Sequence, residues 1–391
     1  MLVIRNGRIH TISNGIIDRG SILIENGKIV AIGTSVPEPA GARIIDAEGR
    51  WVQPGIIEAH GHLGVSEQGI GSEGNDVNEM VDPCTPHVRA IDGINPKDEG
   101  LRDALEAGIT ATWITPGSAN VIGGQGATCR TWGATVEDMV INPFSAMKAA
   151  LGENPKRVYS GKSKITTRLG TAGCFRETMY KAKAYLRKQE SAREKGSDLP
   201  DYDLRLEPLL AVLRKEVPMR IHAHRQDDIM TALRFAREFD FELTIEHCSE
   251  GYMIADQLAA EPRLRGVVVG PILTAKGKIE TANKDWAAAG VMQRAGVRTA
   301  IMTDHPVTPV QYLPICAAYS NKYGMDENEA LKAITLNAAI ISGVGDRVGS
   351  LELGKEADIA IFTGHPFDTW RTHTVATIIA GQVAYSNPKF M

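Results

Sequence analysis

The chain has 391 residues, 43% of them hydrophobic and 23% charged, with a formal net charge of -4. That length exceeds one ordinary compact core, and the near balance of charge leaves no basic field to gather nucleic acid, so the partner expected is a small-molecule substrate. Five cysteines, at positions 84, 129, 174, 248 and 316, are odd in number, widely spread and without a CxxC spacing; this argues against a disulfide framework or a zinc knuckle and reads as reduced thiols in the cytoplasm.

The N-terminal stretch MLVIRNGRIHTISNG has no long apolar segment behind a basic start. No run in the chain approaches the roughly 18 apolar residues of a membrane span. The first fifty residues read as β-structure: LVIRNGRIHTI, then ILIE and KIVAI around Asn26-Gly27, the signature of a type I′ hairpin. ARIIDAEGRWVQPG adds a further strand. Residues 64–98 are rich in Gly, Asp, Asn and Pro and read as a long ordered loop over strand ends.

From residue 203 the rhythm changes. LRLEPLLAVLRKEV leads to MRIHAH, DIMTALRFAREFD to FELTIEHC, GYMIADQLAAEP to RGVVVGP, and VMQRAG to VRTAIMTDHP. Helix followed by a short buried strand, repeated in this way, predicts a parallel sheet, and roughly 300 residues of it suit a (β/α)8 TIM barrel. Gly123-Gly124-Gln125-Gly126 is too irregular for a dinucleotide-binding turn. The C-terminus returns to strands in ADIAIFTG and VATIIAGQVAYS, with Ala380-Gly381 able to turn a second hairpin. The predicted fold is therefore α/β: residues 52–348 as the barrel, and residues 1–51 plus 349–391 as a small composite β-sandwich domain built from both termini.

Only ten histidines occur, yet His60 and His62 stand one residue apart in EAHGHLG. If this stretch ends the first barrel strand, its period of two puts residues 58, 60 and 62 on one face, with both imidazoles directed into the barrel mouth. Such a pair can hold a divalent transition metal. His222 and His224 end MRIHAH, His247 ends LTIEH and Asp304 ends AIMTD, each at the C-terminal edge of a predicted strand, which in a barrel is the catalytic face. By the same alternation Glu246 should face away from the mouth.

QPGIIEAHGH, the IHAH, IEH and TDH segments and TLNAAIISGVGDRVGSLELGKEADIAIF together resemble the metal-dependent amidohydrolase superfamily, in particular its imidazolonepropionase-related branch. The resemblance spans the chain. It implies one or two divalent ions per chain, with zinc expected, and hydrolysis of an amide, a cyclic amide or an amine-bearing carbon. It also implies that Gly349 through Asp358 return the chain to the small domain. His60, His62 and Asp304 would hold the first ion, and His222 with His247 the second, leaving His224 for substrate. The superfamily bridges its two ions with a carboxylated lysine or a glutamate after a middle strand; Glu153 is the choice here, with Lys162 and Lys164 as rivals. Asp304 would also be catalytic, taking the proton of the attacking water and returning it to the leaving nitrogen.

Deaminase relatives place an acid three residues after the histidine of the fifth strand, where this chain has Arg225. A C–N bond other than a peptide bond, in a cyclic or related small amide, is the expected target. Arg225 is the expected contact to a substrate carboxylate, with Arg168 and Arg157 as alternatives. The competing readings are a metallodipeptidase resembling prolidases, a deaminase, and a metal-free structural barrel. His305 and His87 are further substrate candidates, and a homo-oligomer is compatible with the composition.

Overall fold

A computed structural model describes residues 1–161 and 165–390. Two eight-stranded sheets organise it. The first combines β1 (Leu2–His10), β2 (Ile16–Glu25), β3 (Lys28–Gly33), β4 (Arg43–Asp46) and β5 (Trp51–Pro54) from the N-terminus. The second comprises β6 (Ile56–Gly61), β7 (Ile109–Ile114), β8 (Ile122–Arg130), β9 (Val140–Ala150), β10 (Met219–Ala223), β11 (Leu243–His247), β12 (Leu264–Val269) and β13 (Thr299–Ile301). β14 (Ile359–Phe362), β15 (Thr374–Ile379) and β16 (Gln382–Ser386) return to the first sheet.

β14 is what joins the two ends of the chain. It runs antiparallel to β5, with Ile359 opposite Pro54 and Phe362 opposite Trp51. Isoleucines and valines from both termini, among them Ile9, Ile24, Val52 and Ile361, then share one core. Both expected hairpin turns form: Asn26 and Gly27 have φ of 49° and 77°, and Ala380 and Gly381 have 46° and 74°, the positive pairs of a type I′ turn. The stretch WVQPGIIEAHG, however, is two strands in two sheets, divided at Gly55. There a Cβ would lie 2.0 Å from Thr110 Oγ1, so only glycine lets the chain pass that close to β7.

The barrel sheet runs β6 to β13 in chain order. Its ends meet where His62 N donates to His305 O at 2.9 Å and Thr303 N donates to Glu58 Oε2 at 3.0 Å. β8 departs from the expected pattern by running antiparallel to both β7 and β9. The irregular glycine run lies on this strand. Gly126 is required there, because a Cβ would stand 2.5 Å from the Trp113 ring. Helices cover the outside, the longest being Arg168–Lys195, and residues 64–98 cross over the barrel mouth as a loop with two short 3-10 turns. Among the described residues no helix is long and apolar enough to cross a membrane.

Candidate metal centre

β6 presents His60 from its last residues, and His62 follows directly after it. His60 Nδ1 lies 2.6 Å from Glu246 Oε2, and His62 Nδ1 lies 2.7 Å from the carbonyl of Thr115. An oxygen acceptor opposite Nδ1 requires the proton there, which leaves the Nε2 lone pair free in both rings. The two Nε2 atoms stand 3.6 and 3.5 Å from Asp304 Oδ1. His247 is prepared in the same way, with Nδ1 3.0 Å from Gly270 O. His224 Nδ1 meets Ser249 Oγ at 2.8 Å. His222 is buried with neither ring nitrogen hydrogen-bonded.

Ring nitrogens of His222, His224 and His247 lie within 4.8 Å of one another, as do ligand atoms of His60, His247 and Asp304. Burial holds these rings neutral: it pulls His60 down to about 4 and His224 to about 3, and it pulls His222 and His247 well below the usual imidazole value. Burial would raise Asp304, but the contacts with the His62 and His60 imidazoles and the charge of Lys148 reverse this and keep its carboxyl below the ordinary range. Neutral imidazoles with directed lone pairs, beside an ionised carboxylate, form a donor set that suits a divalent transition metal.

Two functional groups were missed by the sequence reasoning. Lys148 on β9 is buried, with Nζ 3.2 Å from His60 Nε2, and burial brings its pKa down to about 8. Its signal was a single lysine inside the apolar run SAMKAAL. The second is Glu246, which does not face outward. Glu246 shares the inner face with Thr244, which donates to it at 2.7 Å, and is paired in register with His222 on β10; it is His247, with φ of +70°, that a left-handed step turns inward against the alternation. Arg220 clamps Glu246 with bonds of 2.9 and 2.8 Å and lies 3.6 Å over the Trp113 ring. Burial alone would raise the Glu246 pKa; Arg220 and His60 overcome it and hold the carboxylate ionised. Asp304, with φ of +56°, is turned toward the mouth by the same kind of backbone step.

Above these groups is a cavity of about 480 Å³ whose wall includes His60, His62, His222, His224, His247 and Asp304. Glu153 is not brought there: its Oε1 accepts the backbone N–H of Glu280 at 3.0 Å, and it belongs to neither cluster of metal-ligating groups. Its rivals Lys162 and Lys164 lie outside the described residues. Arg225 is also elsewhere, half-buried and forked onto Asp227 at 2.9 and 3.0 Å. Arg168 is taken by Asp228. Arg157 alone of the three arginines lines the cavity, and among the described residues no carboxylate pairs with it. Lys278 and Lys284 line the same wall. His87 and His305 do not; His305 is buried behind Asp304, with Nδ1 accepting from Val310 N at 3.2 Å.

The amidohydrolase family profile matches residues 51–384. The chain is 30% identical over 378 residues to the amidohydrolase tasK of Hapsidospora irregularis, covering 89% of this chain but only 38% of that protein. It is 25% identical over 386 residues to the imidazolonepropionase of Mesorhizobium japonicum, covering 92% and 91% of the two chains. A solved amidohydrolase structure from Thermotoga maritima superposes with a TM-score of 0.95 at 40% identity, over 99% of this chain and 100% of the other.

Proposed function

We propose, from the premise that this chain belongs to the amidohydrolase family, that it hydrolyses a C–N bond in a small acidic amide, with a cyclic amide as the leading class, at a centre of two zinc ions. Hydrolysis of C–N bonds is common ground with its named relatives. The observation that carries the reading is the convergence of His60, His62, His222, His247 and Asp304 at one barrel mouth, with Lys148 against His60.

In this reading His60, His62 and Asp304 hold one ion and His222 and His247 the other. Lys148, carboxylated on Nζ by carbon dioxide with loss of a proton, would supply the bridging carboxylate in place of Glu153. A metal ion in such a site supplies a bound water whose pKa falls from near 16 to about 7. Asp304, whose carboxyl lies below the ordinary range, would accept a proton and deliver it to the leaving nitrogen. Glu246 fixes the His60 ring through Nδ1, and Arg220 fixes Glu246.

Substrate class follows from the wall. Arg157, Lys278 and Lys284 face a cavity whose wall contains one carboxylate, that of Asp304. A substrate carboxylate placed against Arg157 would sit at the cationic side with its amide toward the histidines. The test is a substrate panel offered to zinc-loaded protein: cyclic amides with and without a carboxylate, and dipeptides. Preference for the carboxylate-bearing cyclic amides is expected. Preference for dipeptides would favour the peptidase reading, and indifference to the carboxylate would remove Arg157 from the account.

A further inference from the structure

Glu280 lies in the segment between β12 and the helix Ala288–Arg294, on the short turn Ile279–Thr281, yet it is fully buried. Its Oε2 accepts the N–H of Glu153 at 2.8 Å, while its own N–H donates to Glu153 Oε1. This reciprocal pair fastens the segment over the end of β9. The other oxygen, Oε1, has no hydrogen-bond partner. Facing it are His222 Nε2 at 3.9 Å, His224 Nε2 at 3.8 Å and Lys278 Nζ at 3.6 Å, all beyond the range of a good hydrogen bond.

A carboxylate withdrawn from water with one oxygen not hydrogen-bonded is costly, and among the described residues only the long ion pair to Lys278 Nζ at 3.6 Å compensates Oε1. Here the groups opposite are themselves lone-pair donors. With Nδ1 of His224 donating to Ser249 Oγ, its Nε2 presents a lone pair to Oε1, and His222 has no partner at either nitrogen. Acceptors arranged to face one another define a place for a cation. Donor atoms bound at about 2.0–2.1 Å to one zinc ion stand roughly 3–3.5 Å apart, so Oε1 and the two Nε2 atoms, now 3.8 and 3.9 Å apart, would draw slightly together around an ion. The surrounding contacts are those that orient ligands in metal sites: Glu153 N–H on Glu280, Ser249 on His224, Gly270 O on His247. Lys278 Nζ donates to Asn154 Oδ1 at 3.0 Å and not to Oε1, which it approaches only to 3.6 Å.

We infer that Glu280 is a ligand of the second divalent ion, adding one oxygen to the nitrogens of His222, His224 and His247 beside the bridging Lys148. The inference rests on the two-ion reading above and changes the role of His224 from substrate contact to ligand. It gives that ion a second task. Glu280 sits on the segment that carries Lys278 and Lys284, so filling the site fastens the cationic wall of the substrate cavity.

The test uses full-length protein stripped with chelator and reloaded with Zn²⁺, read by metal analysis, calorimetry and hydrogen exchange over residues 270–287. Wild type should take up two equivalents, and exchange in the segment should slow as the second binds. Glu280→Gln keeps an oxygen to accept from Glu153 N–H; it should retain the first equivalent, bind the second at least about 100-fold more weakly, and lose the slowing. His224→Gln should lose the second equivalent likewise, and it stands in if Glu280→Gln does not fold. Two equivalents with wild-type affinity in either folded variant would overturn the assignment. Wild type binding fewer than two would instead overturn the two-ion reading beneath it.

Discussion

Lys148 is the residue on which the chemistry of the centre turns. It is a buried amine against a ring whose lone pair is directed at it, and burial lowers its pKa to about 8. Lys148→Ala should reduce turnover by about 100-fold or more and lower the metal content, and added short-chain carboxylates should restore part of both by filling the gap. Rates and zinc stoichiometry measured with and without acetate check this; a variant as active as wild type refutes the bridging role. In the proposed reaction Arg157 contacts substrate rather than metal. Arg157→Ala should raise KM for carboxylate-bearing substrates about 10- to 100-fold with little change in kcat, and leave neutral analogues unaffected. What the sequence disclosed at this scale was uneven. His60, His62, His222, His247 and Asp304 were legible because each ends an apolar run. Lys148 was not, because the ligand was sought after the strand and the lysine lies within it. Arg157 is only an alternative to Arg225 in the sequence, and it is the ion pairs of Arg225 and Arg168 that set it apart.

Strands and turns were read more easily than their directions. The hairpins at Asn26-Gly27 and Ala380-Gly381 follow from turn chemistry alone. The reversal of β8 also had a signal: residues 115–121 and 131–139 are too short for parallel crossovers, which need about a dozen residues or more. The presence of Glu246 and His247 together at the mouth had no such signal, since the positive φ that turns His247 inward is set by tertiary packing. Gly126→Ala tests the β7–β8 contact; its Cβ would meet the Trp113 ring and should cost about 1–3 kcal/mol in denaturant unfolding.

The junction between the sheets offers a pH test. Asp358 is buried, accepts Ala380 N–H at 2.7 Å and lies 3.7 Å from Arg130 on β8; burial pushes its pKa up to about 6. Its raised value favours the protonated folded state, so its contribution is full below pH 4 and is lost as pH rises through 6. Asp358→Asn, which does not titrate, should gain stability relative to wild type across that window by up to about 3 kcal/mol. An unchanged difference between pH 4 and 7 would refute the shift.

For the molecule as a whole, the barrel brings side chains from β6, β9, β10, β11 and the end of β13 to one mouth, and sequences far apart supply a single centre. Metal should therefore stabilise the whole fold. Stripping zinc should lower Tm by roughly 5 °C or more, reversibly on reloading. The most direct measurement of the central claim is anomalous scattering at the zinc edge from crystals of protein purified without chelator. Two ions are expected, one against His60, His62 and Asp304 and one against His222 and His247, with Lys148 between them. Crystals without an anomalous peak at these side chains, or with ions bound only elsewhere, would contradict it.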